Sequence, residues 1–256
     1  MKRKRCCEHC QAPNCFSAVP TAKANDFKIS IPGVVVTTSK SQEGKSHLLN
    51  YIIARYGDEI GYGMAISATG AEPHNLPFLD KEYVHTTWPG INNSTKKALV
   101  AMVEEQLKIP YDIRPVAGLF IEDEYRCLLD PLISEIVSRP THYKIFVFIA
   151  VNWINKPLPL IREGAWQVAL FKIHSKDGLK AAHEAYGQDC ESFEDFQKMM
   201  KNGTGDFKFM FKNTKASGEA GKWQSLRCPG DIPIHKIGPS PANPKEEPKV
   251  KKSRLL

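Results

Sequence analysis

The segment from Val34 to Ile53 reads Val-Val-Val-Thr-Thr, then Ser39-Lys40-Ser41-Gln42-Glu43, then Gly44-Lys45-Ser46-His47. Leu48, Leu49, Ile52 and Ile53 follow at helical spacing. The β-branched run suits a buried strand, and the apolar positions after His47 fall on one face of a helix. Strand, polar loop, Gly-Lys-Ser and helix, in that order, gather successive backbone N–H groups and a helix N-terminus around one concave space, which makes an anion site. Residues 39–47 are therefore predicted to hold a nucleoside triphosphate. Lys45 is placed to reach its β- and γ-phosphates, and the Ser46 hydroxyl to ligate Mg²⁺. Ser39 stands where the pattern G-x-x-x-x-G-K-[ST] begins with glycine. A surface turn containing Gly-Lys-Ser is the competing reading, so the rest of the chain has to supply the second half of a nucleotide site.

Beyond the loop, strand-like and helix-like patterns alternate. Tyr62–Thr69, Tyr83–Thr87, Val116–Ile121, Lys144–Val151 and Trp166–Ile173 read as strands, the fourth being the most apolar run in the chain. Between them lie a helix with Leu99, Val100, Val103 and Leu107 on one face and a helix opened by Asp130-Pro131. Asp and Pro are well suited to the cap and first turn of a helix. Alternation of this kind predicts an α/β fold with a mostly parallel central sheet flanked by helices. Ser175 is predicted to cap a helix running to Tyr186, and Ser192 another that contains Phe196 and Met199. Lys28-Ile29-Ser30-Ile31 is predicted to be a short edge strand, and Asp206 to Lys212, which alternates sharply, another edge strand.

The apolar run Val116 to Ile121 ends on Glu122-Asp123-Glu124. A buried strand that stops on three carboxylates provides what the loop lacks: one carboxylate for the Mg²⁺ and the next to polarise the attacking water. The preferred register is Asp123 for the metal and Glu124 as catalytic base. Glu122 and Asp123, one residue earlier, are the alternative. Asn152 ends the run Lys144–Val151, where a polar amide can sense the γ-phosphate or orient water. Arg139 and Arg162 lie nearest these strand ends, and either could serve as an arginine finger toward a neighbouring subunit.

The ends of the chain differ in composition from the middle. Residues 1–26 form a basic, cysteine-rich arm that opens Met-Lys-Arg-Lys-Arg and carries Cys6, Cys7, His9, Cys10 and Cys15. Cys7, His9, Cys10 and Cys15 are candidate Zn²⁺ ligands, since thiolates and imidazole are the set zinc prefers. Free thiols, or a palmitoylated Cys6-Cys7 pair, are the other readings. Residues 228–256 hold six prolines and a net charge of +3, a density that resists packing. The domain proper is thus expected over 27–227, with flexible basic ends. Net charge over the whole chain is +7, which favours an acidic partner, nucleic acid before membrane. The longest apolar run, Ile145 to Val151, is too short to span a bilayer. No apolar signal-peptide core follows the basic start, so an intracellular, unsecreted protein with reduced thiols is expected.

These residues also occur as a set. Lys40…Gly44-Lys45-Ser46, Phe78-Leu79-Asp80-Lys81-Glu82-Tyr83-Val84-His85, Leu119-Phe120-Ile121-Glu122-Asp123-Glu124 and Ile145 to Asn152 come in order. Leu160-Ile161-Arg162, Ala169-Leu170-Phe171-Lys172-Ile173 and Phe193-Glu194-Asp195-Phe196 complete it. The series, over about residues 28–215, resembles the FtsK–HerA-type genome-packaging ATPases of double-stranded DNA viruses and polinton-like elements. The resemblance lies in the order and spacing of elements more than in long identities. It implies a RecA-like P-loop fold, a homo-oligomeric ring, and ATP-driven movement of double-stranded DNA into a capsid. Capsid or portal-vertex proteins would be its partners, and the host nucleus, a viral assembly site or the virion its location. Lys45 and Ser46 match that family's Walker A pair, the acidic group 122–124 its Walker B end, and Arg139 is near its arginine after the following helix. Asn152 stands where the family often has glutamine. Other P-loop enzymes, such as a helicase or nucleotide kinase, and a nucleotide-binding assembly factor without turnover are the rival functions.

Overall fold

The computed structural model describes residues 28–40, 42–69, 76–152, 159–216 and 218–238. The arm with Cys7, His9, Cys10 and Cys15, Ser41 in the loop, and the tail beyond Gly238 lie outside the described residues.

Among the described residues eight strands make one sheet. They are β1 (Val34–Thr38), β2 (Ile60–Ser67), β3 (Val84–His85), β4 (Val116–Glu122), β5 (Ile145–Val151), β6 (Gln167–Leu170), β7 (Lys208–Asn213) and β8 (Gln224–Arg227). Their spatial order is β3-β2-β4-β5-β1-β6-β7-β8. The six from β3 to β6 run parallel, and β7 and β8 complete the sheet antiparallel. Helices α1 (Lys45–Tyr56), α2 (Ser94–Lys108), α3 (Pro131–Ser138), α4 (Pro140–Tyr143), α5 (Pro159–Glu163), α6 (Lys176–Tyr186) and α7 (Phe193–Gly203) connect and cover them.

The central strands are apolar along their whole length because both faces of the sheet are covered, as in parallel sheets generally. Successive side chains then serve two cores. Val34, Val36, Leu119, Ile121, Val147 and Ile149 face the side packed by α2, α3, α6 and α7. Val35, Phe120, Phe146 and Phe148 face the side packed by Leu48, Leu49, Ile52 and Ile53 of α1. The helix starts follow the sequence chemistry: Asp130 accepts from Leu132 N at 3.0 Å, Ser175 from Gly178 N at 3.1 Å and Ser192 from Asp195 N at 3.1 Å.

Three expectations are corrected. Residues 28–31 form no strand. The chain bends so tightly there that a Cβ on Gly33 would lie 2.5 Å from the Ser30 carbonyl oxygen, and Pro32 has no N–H to give a ladder. Ile29 and Ile31 pack on the α1 side instead. Strand β7 is not at the edge, because the four-residue β8 pairs with it, and a strand so short has little periodicity to read. The packed region also passes Arg227. Cys228 and Ile237 are buried, and Ile237 N and Gly238 N donate to Phe78 O and Gly61 O at 3.1 and 3.2 Å. Prolines at 229 and 233 suggested an unpacked tail, but two apolar anchors and two backbone bonds fasten this segment across α1.

Since β1 to β6 are parallel, the segments after β1, β4 and β5 all leave at one end of the sheet. Strand β1 sits where the connections diverge, to β2 on one side and toward β6 on the other. In open α/β sheets a ligand crevice forms at that switch point, outside the carboxyl ends of the strands.

Candidate nucleotide-binding site

The loop after β1 enters α1 through Gly44, whose φ of 109° is left-handed, a conformation that costs glycine little. Lys45, the first residue of α1, is only 7% exposed. Its Nζ donates to Ser39 O at 3.1 Å, Lys40 O at 3.2 Å and Asn152 Oδ1 at 2.8 Å. Strand β5 thus carries Asn152 to the loop, and Ser39 N donates to Val151 O at 3.3 Å beside it. Burial holds the Lys45 ammonium below its ordinary pKa, against the opposing fields of Asp123, Glu122 and Glu43. Ser39 is buried and donates through Oγ to Lys40 O at 2.8 Å, so its side chain is accommodated within the turn.

The carboxylates come from the end of β4. Glu122 is 3% exposed and accepts from Ser67 Oγ at 3.4 Å and from the Ser46 hydroxyl. Burial pushes its pKa up, and the neighbouring Asp123 adds to this. Asp123 is half-buried, and burial also raises its pKa, while Lys45 and a hydrogen bond from Asn152 act in the other direction. Glu122 Oε1 and Asp123 Oδ1 are buried without a hydrogen-bond partner. An unpartnered buried oxygen of this kind calls for an explanation.

Glu124 goes elsewhere. Asp123 takes a left-handed φ of 55° with its N–H held by Ala150 O at 2.9 Å, and this turns the next side chain away from the loop. Glu124 is 4% exposed and is gripped by Arg126, Nε to Oε1 at 2.8 Å and Nη2 to Oε2 at 2.7 Å. The geometry therefore brings together Glu122 and Asp123, the earlier of the two registers, and not the preferred Asp123 and Glu124. Arg126 was missed in the sequence, although an arginine two residues beyond a strand-end glutamate was a visible signal.

Arg126 holds the Glu124 carboxyl below the usual carboxylate range. A depressed carboxylate stabilises the fold above its unfolded pKa and loses that contribution as pH falls through its folded pKa. The pair should therefore separate the denaturation midpoints of the unmutated protein and Glu124→Gln at neutral pH. The gap should close below about pH 4, near the ordinary glutamate value, and narrow with added salt because Arg126 is largely exposed. Urea unfolding at several pH values measures this, and a gap independent of pH would contradict it.

The remaining predicted residues are dispersed. His47 Nε2 lies 2.7 Å from Pro229 O, Glu43 Oε1 lies 2.9 Å from His174 Nε2, and Lys40 and Gln42 are exposed. Arg139 closes α3 in the segment that feeds the start of β5, whereas the loop lies at the end of β5. Its side chain is exposed, 4.0 Å from Glu135. It is thus at the opposite end of the sheet from Lys45 in its own chain, because α3 carries the backbone back across the sheet. Arg162, on α5, likewise precedes the start of β6.

Among the described residues no group of three or more His, Cys, Asp or Glu side chains is arranged to hold a metal ion. A Mg²⁺ shared with substrate phosphates needs only one or two carboxylates from the protein. Glu122, which Ser46 contacts, and Asp123, which Lys45 faces, each keep a free oxygen and fit that need. No helix among the described residues is long and apolar enough to cross a membrane.

No protein-family model matches the sequence, and no curated protein matches it. Solved structures do share the fold. The genome packaging NTPase B204 of Sulfolobus turreted icosahedral virus 2, in complex with ATP-gammaS, superposes with a TM-score of 0.55 at 13% identity, covering 77% of this chain and 97% of that one. B204, the DNA-packaging ATPase of Sulfolobus turreted icosahedral virus, gives 0.53 at 15% identity over 77% and 98%. The pCW3 conjugation coupling protein TcpA, with ATPgS, gives 0.55 at 13% identity over 77% and 60%. At such identities the likeness carries the fold alone: this chain has the P-loop NTPase fold expected from its sequence, in the form that these viral packaging ATPases take.

Proposed function

We propose that this protein is an ATP-hydrolysing motor that moves double-stranded DNA into a viral capsid. The observation that carries the reading is the convergence of Lys45 with Asn152, Glu122 and Asp123, two of whose oxygens are buried and unpartnered. Lys45 leaves its carbonyl partners to bind the outer phosphates, and the amides opening α1 hold the rest. Ser46 and Glu122 are the ligands on offer to Mg²⁺, which when bound neutralises phosphate charge. Asp123 orients the attacking water and accepts its proton. Asn152 holds both Lys45 and Asp123 at the γ-phosphate end.

The DNA part of the reading rests on the fold shared with a genome packaging NTPase and a DNA-packaging ATPase and on the net charge of +7. A ring of identical subunits, an arginine supplied by a neighbour, and capsid or portal-vertex partners at the site of virion assembly belong to the same proposal. Hydrolysis by the purified full chain, with and without double-stranded DNA, tests it. Turnover that rises on adding DNA is the expected result. ATP bound without turnover on DNA would replace the motor with an assembly factor, and phosphate transfer to a nucleoside would replace it with a kinase.

A further inference from the structure

Strand β7 opens from an unusual turn. Lys208 N donates to Gly205 O at 2.9 Å, and the two residues between them, Asp206 and Phe207, have φ values of 49° and 60°. Two left-handed residues in a two-residue turn favour Asn-Gly or Asp-Gly. Here the second place, which glycine suits best, holds a bulky aromatic ring. That ring is 56% exposed, so core packing does not account for it. Backbone strain kept at one position is a pointer to function.

The position of the ring suggests which function. A Cβ built on Gly44 would lie 3.1 Å from Phe171 Cε1 and 3.5 Å from Phe207 Cδ1. Phe207 therefore stands beside Gly44, the residue that leads into α1. Phe171 beneath is buried and packs on Phe209 with ring centroids 5.1 Å apart. The two sides of the loop are chemically different. Asn152, Glu122 and Asp123 come from β5 and β4, on one side of β1. Strands β6 and β7 lie on the other side, where His174 also meets Glu43 of the loop. A nucleotide with its γ-phosphate at Asp123 and its other phosphates along the start of α1 must extend its ribose and base toward β6 and β7.

We propose that Phe207 is the nucleobase platform of this site, its exposed face stacking on the adenine ring of ATP. The inference rests on the nucleotide-site reading above and adds to it the group that recognises the base. A base presents a π-face to such a platform whatever its edge groups, so the contribution is to affinity.

The test compares two ligands, Mg²⁺ with ATPγS and Mg²⁺ with tripolyphosphate, which has the phosphates and no base. Titration calorimetry on the full chain gives both affinities for the unmutated protein, Phe207→Gly and Phe207→Trp. Glycine suits the left-handed position, so Phe207→Gly removes the ring without endangering the turn. The expected result is ATPγS binding weakened about 10-fold in Phe207→Gly, tripolyphosphate binding unchanged, and ATPγS binding restored in Phe207→Trp. Equal ATPγS affinity in Phe207→Gly and the unmutated protein overturns the inference. Equal weakening of both ligands also overturns it, since the ring would then be supporting the loop. An unmutated protein that binds neither ligand overturns the nucleotide site itself, and the platform with it.

Discussion

Asp123→Asn should lose ATP turnover by about 10²–10⁴-fold while still binding nucleotide, the range expected when a general base is removed. Glu124→Gln should stay within a few-fold of the unmutated rate at neutral pH. The difference follows from where the side chains go. Asp123 shares Asn152 with Lys45 and keeps one buried oxygen free, whereas both oxygens of Glu124 are occupied by Arg126. Steady-state hydrolysis and equilibrium nucleotide binding on the two variants, beside Lys45→Ala, measure it. Lys45→Ala should lose both binding and turnover, because it removes the cation facing the carboxylates. A dead Glu124→Gln would restore the later register, in which Asp123 holds the metal, and require Arg126 to release its partner during turnover.

Phe120→Ala should destabilise the fold by about 3–5 kcal/mol, the cost of emptying a buried aromatic site. Phe120 is fully buried at the centre of β4. Its ring meets Phe78 edge-on at 5.0 Å and Phe146 at 6.4 Å. It also lies over two glycines, Gly118 on its own strand and Gly63 on the neighbouring β2. A Cβ on Gly118 would fall 2.4 Å from Phe120 Cζ, and one on Gly63 would fall 3.1 Å from Phe120 Cε2. The two glycines have no side chains of their own to fill the hole, so little relaxation is expected. Gly118→Ala should destabilise for the converse reason, overpacking the same place. Denaturant unfolding reads both, and a loss below about 1 kcal/mol for Phe120→Ala would show a core looser than its packing implies.

Much of the architecture is legible in the sequence because it rests on local periodicity. Runs such as Ile145–Val151, apolar at every position, belong to strands covered on both faces, and Leu48, Leu49, Ile52 and Ile53 to the buried face of a helix. Their alternation implies parallel strands, and parallel strands bring the ends of β1, β4 and β5 to one edge. The meeting of Lys45 with the strand-end carboxylates follows from that logic. Short or irregular pieces lack such a signal. Strand β8 is four residues long, and the segment from Cys228 to Gly238 is held by two apolar anchors that its prolines conceal.

What only the tertiary structure decides is direction. Which two of three consecutive carboxylates face the loop depends on the left-handed turn at Asp123 and on an arginine that captures Glu124. Arg139 is close in sequence to the end of β4, yet a helix carries it to the far end of the sheet. Phe207 is separated from Gly44 by more than half the chain, and the two meet because β7 returns antiparallel beside β6. The sequence alone determined the kind of site, through residue types whose chemistry is local: amides at a helix start, a lysine and a group of carboxylates. The tertiary structure selected the members of that site, because side-chain direction at a strand end or turn is set by single backbone angles and by partners distant in sequence.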